Sequence, residues 1–211
     1  MSSVFYQFLI FAVPIILALS LHEFAHAWVA DRLGDPTPRS LGRVTLNPIA
    51  HMDPIGTLLI FLVHFGWGKP VPVDIRYLRH PRRDMLLIAA AGPFSNLLSA
   101  LIFSLILRFF VDTPYAHSLV LSILRAGVII NLLLAFFNLI PLPPLDGSKI
   151  LASILPRSVS YWYQGQWQYL SWGLLAIIAL DYIANINILG PLIHTPTTFL
   201  FYLLTGFPIG L

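Results

Sequence analysis

The sequence predicts an all-α polytopic membrane protein with about five transmembrane helices, a re-entrant or interfacial segment and a short extended hairpin. Three observations predict it. Of 211 residues, 57% are hydrophobic and 10% charged, with mean hydropathy +0.81; soluble domains carry roughly 25% charged residues. The apolar residues gather in runs of about 18 or more, the length that crosses a hydrocarbon core. The chain has no cysteine, so disulfides, thiolate metal sites and thiol nucleophiles are excluded. Disorder is excluded too, because it needs low hydrophobicity and high charge.

Taken in order, Val4–Ala30 is the first span, apolar except in its C-terminal third. It holds His22, Glu23 and His26 and lacks a small-residue cleavage site, so it reads as a retained span rather than a signal peptide. Asp53–Pro54 opens the piece Ile55–Phe65, whose apolar core of about 11 residues is too short to cross and suits a re-entrant or interfacial segment. Gly66–Asp74 is extended by composition, since its alternating prolines exclude helix. Met85–Val111 is the second span and Ser118–Ile140 the third. Tyr169 to Ile188 is the fourth and Leu192–Leu211 the fifth. The expected organisation is one membrane-embedded domain over 1–211, with a core at 4–155 and a C-terminal helical pair at 168–211.

Arg32, Arg39 and Arg43 precede the short piece, and Lys69, Arg76, Arg79, Arg82 and Arg83 follow it. The positive-inside rule keeps both groups on one side only if Ile55–Phe65 dips in and returns. Lys149 and Arg157 then fall inside, while the loops Asp112–His117 and Asn187–Gly190, which lack Lys and Arg, fall outside. The expected orientation is N-terminus out and C-terminus in, in a cell membrane. The net charge of +3 then reads as membrane orientation, with some attraction to anionic lipid, and not as nucleic-acid binding. Trp162, Trp167 and Trp172 suit an interfacial belt or simple packing.

The chemistry lies in His22-Glu23-Phe24-Ala25-His26. Spacing i, i+4 puts both imidazoles on one helix face, one turn apart. Two such imidazoles can share a zinc ion, while the carboxylate between them is rotated toward the zinc-bound water. Glu23 is the only glutamate in the chain and lies inside a span, where ionisable groups default to function. A catalytic zinc needs a third protein ligand and one open position. Depth and sidedness favour Asp146, which ends Asn138-Leu-Ile-Pro-Leu-Pro-Pro-Leu-Asp146-Gly147. Its three prolines cannot continue a helix, and unwound backbone at membrane depth suits a wet metal site. An ordinary Pro-rich loop with a turn aspartate is the plainer alternative.

Together, His22–His26 and Asn138-x-x-Pro-x-Pro-Pro-Leu-Asp146-Gly147 resemble the site-2 protease family of intramembrane zinc metalloproteases, in its short bacterial and archaeal branch. Ala91-Gly92-Pro93-x-x-Asn96, Asn47-Pro48-x-x-His51-x-Asp53-Pro54 and Gly68-Lys69-Pro70-Val71-Pro72-Val73 match as well, so the resemblance covers Leu19 to Leu151. It implies one zinc per chain held by His22, His26 and Asp146, with Glu23 as general base and Asn138 near the substrate carbonyl or oxyanion. The implied function is a zinc endopeptidase that cuts transmembrane or membrane-proximal protein substrates from the cytoplasmic side. A transmembrane substrate must unwind before hydrolysis, and the segment Gly66–Asp74 is either a hairpin that offers Val71 and Val73 as an edge to receive it or a rigid loop. Asn96 is a further substrate-binding candidate, or a contact between helices. His51 and Asp53 read as a turn with a capping aspartate, and His64, His80, His117 and His194 as loop or interface residues. A metal-ion transporter or channel using the same His/Glu/Asp cluster is the alternative function, and a catalytically inactive scaffold is a third.

Overall fold

A computed structural model describes residues 3–63, 66–111, 118–184 and 186–209. The expected loop at 112–117, with His117, and His64 lie outside the described residues. The described residues form helices α1 (Ser3–Arg32), α2 (Thr37–Ser40), α3 (Pro54–Val63), α4 (Pro81–Val111) and α5 (Ser118–Asn138). α6 (Asp146–Ile154), α7 (Arg157–Gly165), α8 (Trp167–Ala184) and α9 (Gly190–Thr205) follow. Three helices are long and apolar enough to cross a membrane: Phe5–Arg32, Pro81–Val111 and Ser118–Asn138.

α1, α4 and α5 pack on one another as the centre of the molecule. Small residues make this possible. Ala18 and Ala27 on α1, Gly92 and Ala100 on α4 and Gly127 and Ala135 on α5 are all buried, so the backbones approach closely. Large apolar residues such as Phe8, Phe94, Leu105 and Phe109 face outward. This is the pattern of helices whose surroundings are lipid rather than water.

The short piece is a short helix whose flanks meet. α3 has 10 residues, about 15 Å of rise against a hydrocarbon core of about 30 Å. Its flanks meet: Met52 bridges antiparallel to Gly68, and Lys69 N–H donates to the His51 carbonyl at 2.8 Å. The two flanks of α3 are thus held together at one hydrogen-bonded point. That bridge also corrects the expected hairpin. Among the described residues there is no strand, and 66–74 is an extended strap pairing with 51–52 rather than with itself.

The C-terminal pair also differs from expectation. α9 is antiparallel to α5. Ile193 packs in the cluster of Ile140, Leu145 and Leu174, Phe201 packs against Val128 and Leu132, and Arg125 lies 6.0 Å from the Phe207 ring. Arg108 at the end of α4 donates to the Leu203 carbonyl at 3.5 Å. Tyr6 at the start of α1 bonds Ser118 at the start of α5 at 3.3 Å. The end of α9 therefore lies where α1 begins, and Leu189 lies at the opposite end, with Ile140. This overturns the expected placement of Asn187–Gly190 and of the C-terminus on opposite faces to these. α8 packs Leu174, Ile177 and Ile178 on the same Ile140–Leu145 turn, so its end and the start of α9 share one level. α9 stops at Thr205 because Gly206 takes a left-handed C-cap, φ 80°. Its 16 residues rise about 24 Å.

Candidate metal centre

α1 supplies two donors on one face. The His22 and His26 rings lie edge to face with centroids 4.7 Å apart. Asp146 arrives from the turn that follows α5. Leu142 N–H bonds the Ile140 carbonyl and Leu145 N–H the Leu142 carbonyl, at 2.8 and 3.0 Å, and α6 then starts at Asp146 itself. Gly147 is required there, since a Cβ would stand 2.4 Å from the carbonyl oxygens of Leu139 and Ile140. Tyr163 fastens the turn from α7, its hydroxyl donating to the Pro141 carbonyl at 2.8 Å.

The three donors form a triangle. Nε2 of His22, Nε2 of His26 and Oδ2 of Asp146 are each 3.1 Å from the other two, and all three residues are buried. Donors bound tetrahedrally at zinc distances of about 2.0–2.1 Å would be about 3.3 Å apart, so the triangle has the size of a zinc site. The tautomers agree. His26 Nδ1 donates to the Ile88 carbonyl at 2.7 Å. His22 Nδ1 lies 2.6 Å from Asn96 Oδ1, and Asn96 Nδ2 donates to Asn131 Oδ1 at 2.9 Å and the Ala18 carbonyl at 3.2 Å. Asn131 Nδ2 in turn donates to the Gly127 carbonyl at 2.8 Å. Each amide is thereby oriented, Asn96 presents its oxygen to His22, and both histidines carry their proton on Nδ1. Two Nε2 lone pairs and a carboxylate at this spacing need a cation or a proton between them. Lys149 Nζ bonds the other Asp146 oxygen, Oδ1, at 3.2 Å.

α4 passes close behind the histidines because residue 92 is glycine. A Cβ there would lie 2.4 Å from His26 Nε2 and 2.6 Å from His22 Nε2. In front, a cavity of about 610 Å³ is lined by His22, Glu23, His26, Asp146, Asn138, Val71 and Val73, with Met85, Lys149, Arg157 and Tyr161 among the outer walls. Glu23 is outside the donor triangle but on the same cavity. Asn138, the last residue of α5, donates Nδ2 to the Leu134 carbonyl at 3.0 Å and borders the cavity.

The cavity thus gathers every residue given a catalytic, metal-binding or substrate-binding role from the sequence except Asn96, which is fully buried among helices with both amide ends bonded. His51 and Asp53 lie apart from it: Asp53 Oδ1 accepts from Gly56 N–H at 2.8 Å, a helix cap. Asp181 caps the start of α9, accepting from Ile188 and Leu189 N–H. Asn131 and Lys149 were not foreseen. Asn131 had a signal, a polar side chain in an apolar helix seven residues before Asn138 and so on the same face.

Comparison with known proteins agrees with this geometry. The model of "Peptidase family M50" matches residues 110–180, which hold Asn138 and Asp146. "Putative zinc metalloprotease YwhC" of Bacillus subtilis is 43% identical over 152 residues, covering 70% of this chain and 69% of the relative. The like-named Rip2 of Mycolicibacterium smegmatis is 29% identical over 171 residues, 78% of this chain and 63% of the relative. "Zinc metalloprotease MJ0392" of Methanocaldococcus jannaschii is 25% identical over 149 residues, 71% of this chain and 35% of the relative. No solved structure gives a significant match. With a relative this similar over most of both lengths, and with the zinc-sized triangle of His22, His26 and Asp146, the chain belongs to peptidase family M50, the site-2 protease family of zinc metalloproteases.

Proposed function

We propose that the protein is an intramembrane endopeptidase that binds one zinc ion per chain and cuts transmembrane or membrane-proximal protein segments. The observation that carries this reading is the joint position of the donor triangle, the lone glutamate and an extended strap on one cavity between apolar helices. His22, His26 and Asp146 would hold the zinc, which would supply Lewis acidity at the site. Glu23 takes a proton from the attacking water as its oxygen bonds to the carbonyl carbon, and then delivers that proton to the amide nitrogen as the C–N bond of the tetrahedral adduct breaks and the amine leaves. Asn138 Nδ2, whose second N–H is not used by Leu134, stabilises the oxyanion. Val71 and Val73 offer backbone groups to an unwound substrate strand. Asn96 acts through His22, fixing its tautomer, rather than on substrate.

The active site belongs on the cytoplasmic side. All but Arg108 and Arg125 of the 12 lysines and arginines fall in the segments at its end of the molecule, from the last residue of α1 to the first turn of α4 and from Lys149 to Arg157. The test is a purified protein assayed for bound zinc and for cleavage of a labelled transmembrane peptide, as wild type and Glu23→Gln. Retained zinc with abolished cleavage in the variant is expected. Zinc flux across vesicles without cleavage by either form would establish a transporter instead.

A further inference from the structure

The strap Gly68–Asp74 borders the metal cavity through Pro70, Val71 and Val73. It is fastened at both ends and open in the middle. At its far end Asp74 N–H donates to Asp35 Oδ2 at 2.8 Å, and Asp35, fully buried, accepts Thr37 N–H on its other oxygen at 2.9 Å. At its near end stand the Met52–Gly68 bridge and the bond from Lys69 N–H to His51. Between them, no hydrogen bond among the described residues uses the backbone of Val71, Pro72 or Val73.

The near end also carries a buried charge. Arg43, 4% exposed, sends Nη1 to the Pro70 carbonyl at 3.1 Å and Nη2 to the Lys69 carbonyl. Nη2 also lies 3.5 Å from His51 Nδ1, and His51 donates its Nε2 proton to the Thr45 carbonyl at 2.8 Å. Among the described residues, the Nε of Arg43 is buried without a hydrogen-bond partner. Burial pushes the guanidinium pKa down and the nearby Glu23 carboxylate opposes this. Gly68 backs directly on that glutamate, since a Cβ there would lie 3.7 Å from Glu23 Oε1. Burying a charge is costly unless it is well bonded. An exposed loop would not need it, and a lysine could not span both carbonyls, because only the guanidinium has a rigid fork.

We infer that Arg43 is a positioning residue for substrate: by holding the Lys69 and Pro70 carbonyls it presents Val71–Val73 as a preformed strand edge beside Glu23. The inference rests on the proposed reading in which Val71 and Val73 receive the substrate strand. A preformed edge lowers the ordering cost of binding, so loss of Arg43 acts on KM before kcat.

The chain has no cysteine, so a single nitroxide at the exposed Pro72 (Pro72→Cys) reports strap mobility without any substrate. In Arg43→Gln, with zinc content retained, the label becomes more mobile. KM for a transmembrane peptide rises about tenfold or more, the scale of losing charge-assisted hydrogen bonds, with kcat little changed. Arg43→Lys gives a smaller rise. Joining residues 43 and 69 (Arg43→Cys, Lys69→Cys) with a bismaleimide of the arginine's reach restores the wild-type KM. An unchanged label spectrum with KM within twofold of wild type overturns the inference. So does loss of zinc or of kcat at constant KM in both Arg43 variants, which would assign the residue to the metal centre or the fold. If the wild type itself does not cleave, the protease reading fails, while the label still reports whether Arg43 holds the strap.

Discussion

Replacing Gly92 by alanine sets two opposed effects against each other at the metal centre. In an exposed helix interior, glycine to alanine is worth about 1 kcal/mol in favour of the helix. At Gly92 the added carbon would stand 2.4 Å from His26 Nε2 and 2.6 Å from both Cε1 and Nε2 of His22. Ordinary carbon contacts begin near 3.5 Å, so α4 must retreat, or the rings must swing, by about 1 Å. Neither ring has a free end that can give way. His26 is tied to Ile88 and His22 to Asn96, both on α4 itself. Metal–ligand distances tolerate about 0.2 Å, so a shift of this size defeats the zinc site even if the helix survives. Overpacking costs about 1–3 kcal/mol, which exceeds the propensity gain. Gly92→Ala is therefore expected to keep its helical circular dichroism, lose at least 10–100-fold in zinc affinity, measured by competition with a chromophoric chelator in detergent, and lose cleavage in parallel. Gly173→Ala, where an added Cβ meets nothing within 4 Å, is the control and should leave both unchanged. Zinc affinity within twofold of wild type in Gly92→Ala would refute the close approach of α4 to the histidines.

Asn131→Leu removes the amide that orients Asn96 and should weaken zinc binding about tenfold without touching the cavity. Its effect should not add to that of Asn96→Leu in a double-mutant cycle, and additivity would show that the two do not act in series. Lys149→Ala should change zinc affinity by less than tenfold, because its side chain is 40% exposed and such pairs are worth about 0–1 kcal/mol; the remaining effect should shrink with added salt. Chelating the metal should leave the helix content intact, since α1, α4 and α5 pack on small residues rather than around an ion. Restoring zinc to 100 times its dissociation constant should stabilise the fold by about 2.7 kcal/mol, read as a rise in melting temperature; collapse of the helical signal on chelation would contradict this.

Local chemistry was legible without coordinates. Spacing of one helical turn already aligns His22 and His26, and an apolar run around Glu23 already makes that carboxylate expensive to keep without a task. Prolines at 70 and 72 forbid helix whatever surrounds them, so the strap was readable as extended. Its partner was not. A strand's pairing depends on which other backbone is near, and residues 51–52 reach it only because α3 turns back. Likewise Asn131 and Arg43 matter through groups 35 and 27 residues away, a separation that no local pattern encodes.

The direction of the C-terminal helices shows the boundary most clearly. Hydropathy is the same read upward or downward, so Leu192–Leu211 takes a direction from the sequence only indirectly, by counting crossings and by the lack of Lys and Arg in the loop before it. Only packing against α5 decides that α9 rises from Leu189, beside Ile140, toward Arg108 and Arg125. By itself the sequence determined the membrane setting, the histidine pair and the family of the chain, since these depend on composition, on neighbours within a turn and on the order of short local motifs. Tertiary structure decided that Asp146 closes a 3.1 Å triangle, that glycine at 92 admits α4 behind it, and which helix ends share a face, because each of these depends on how distant segments fill the same space.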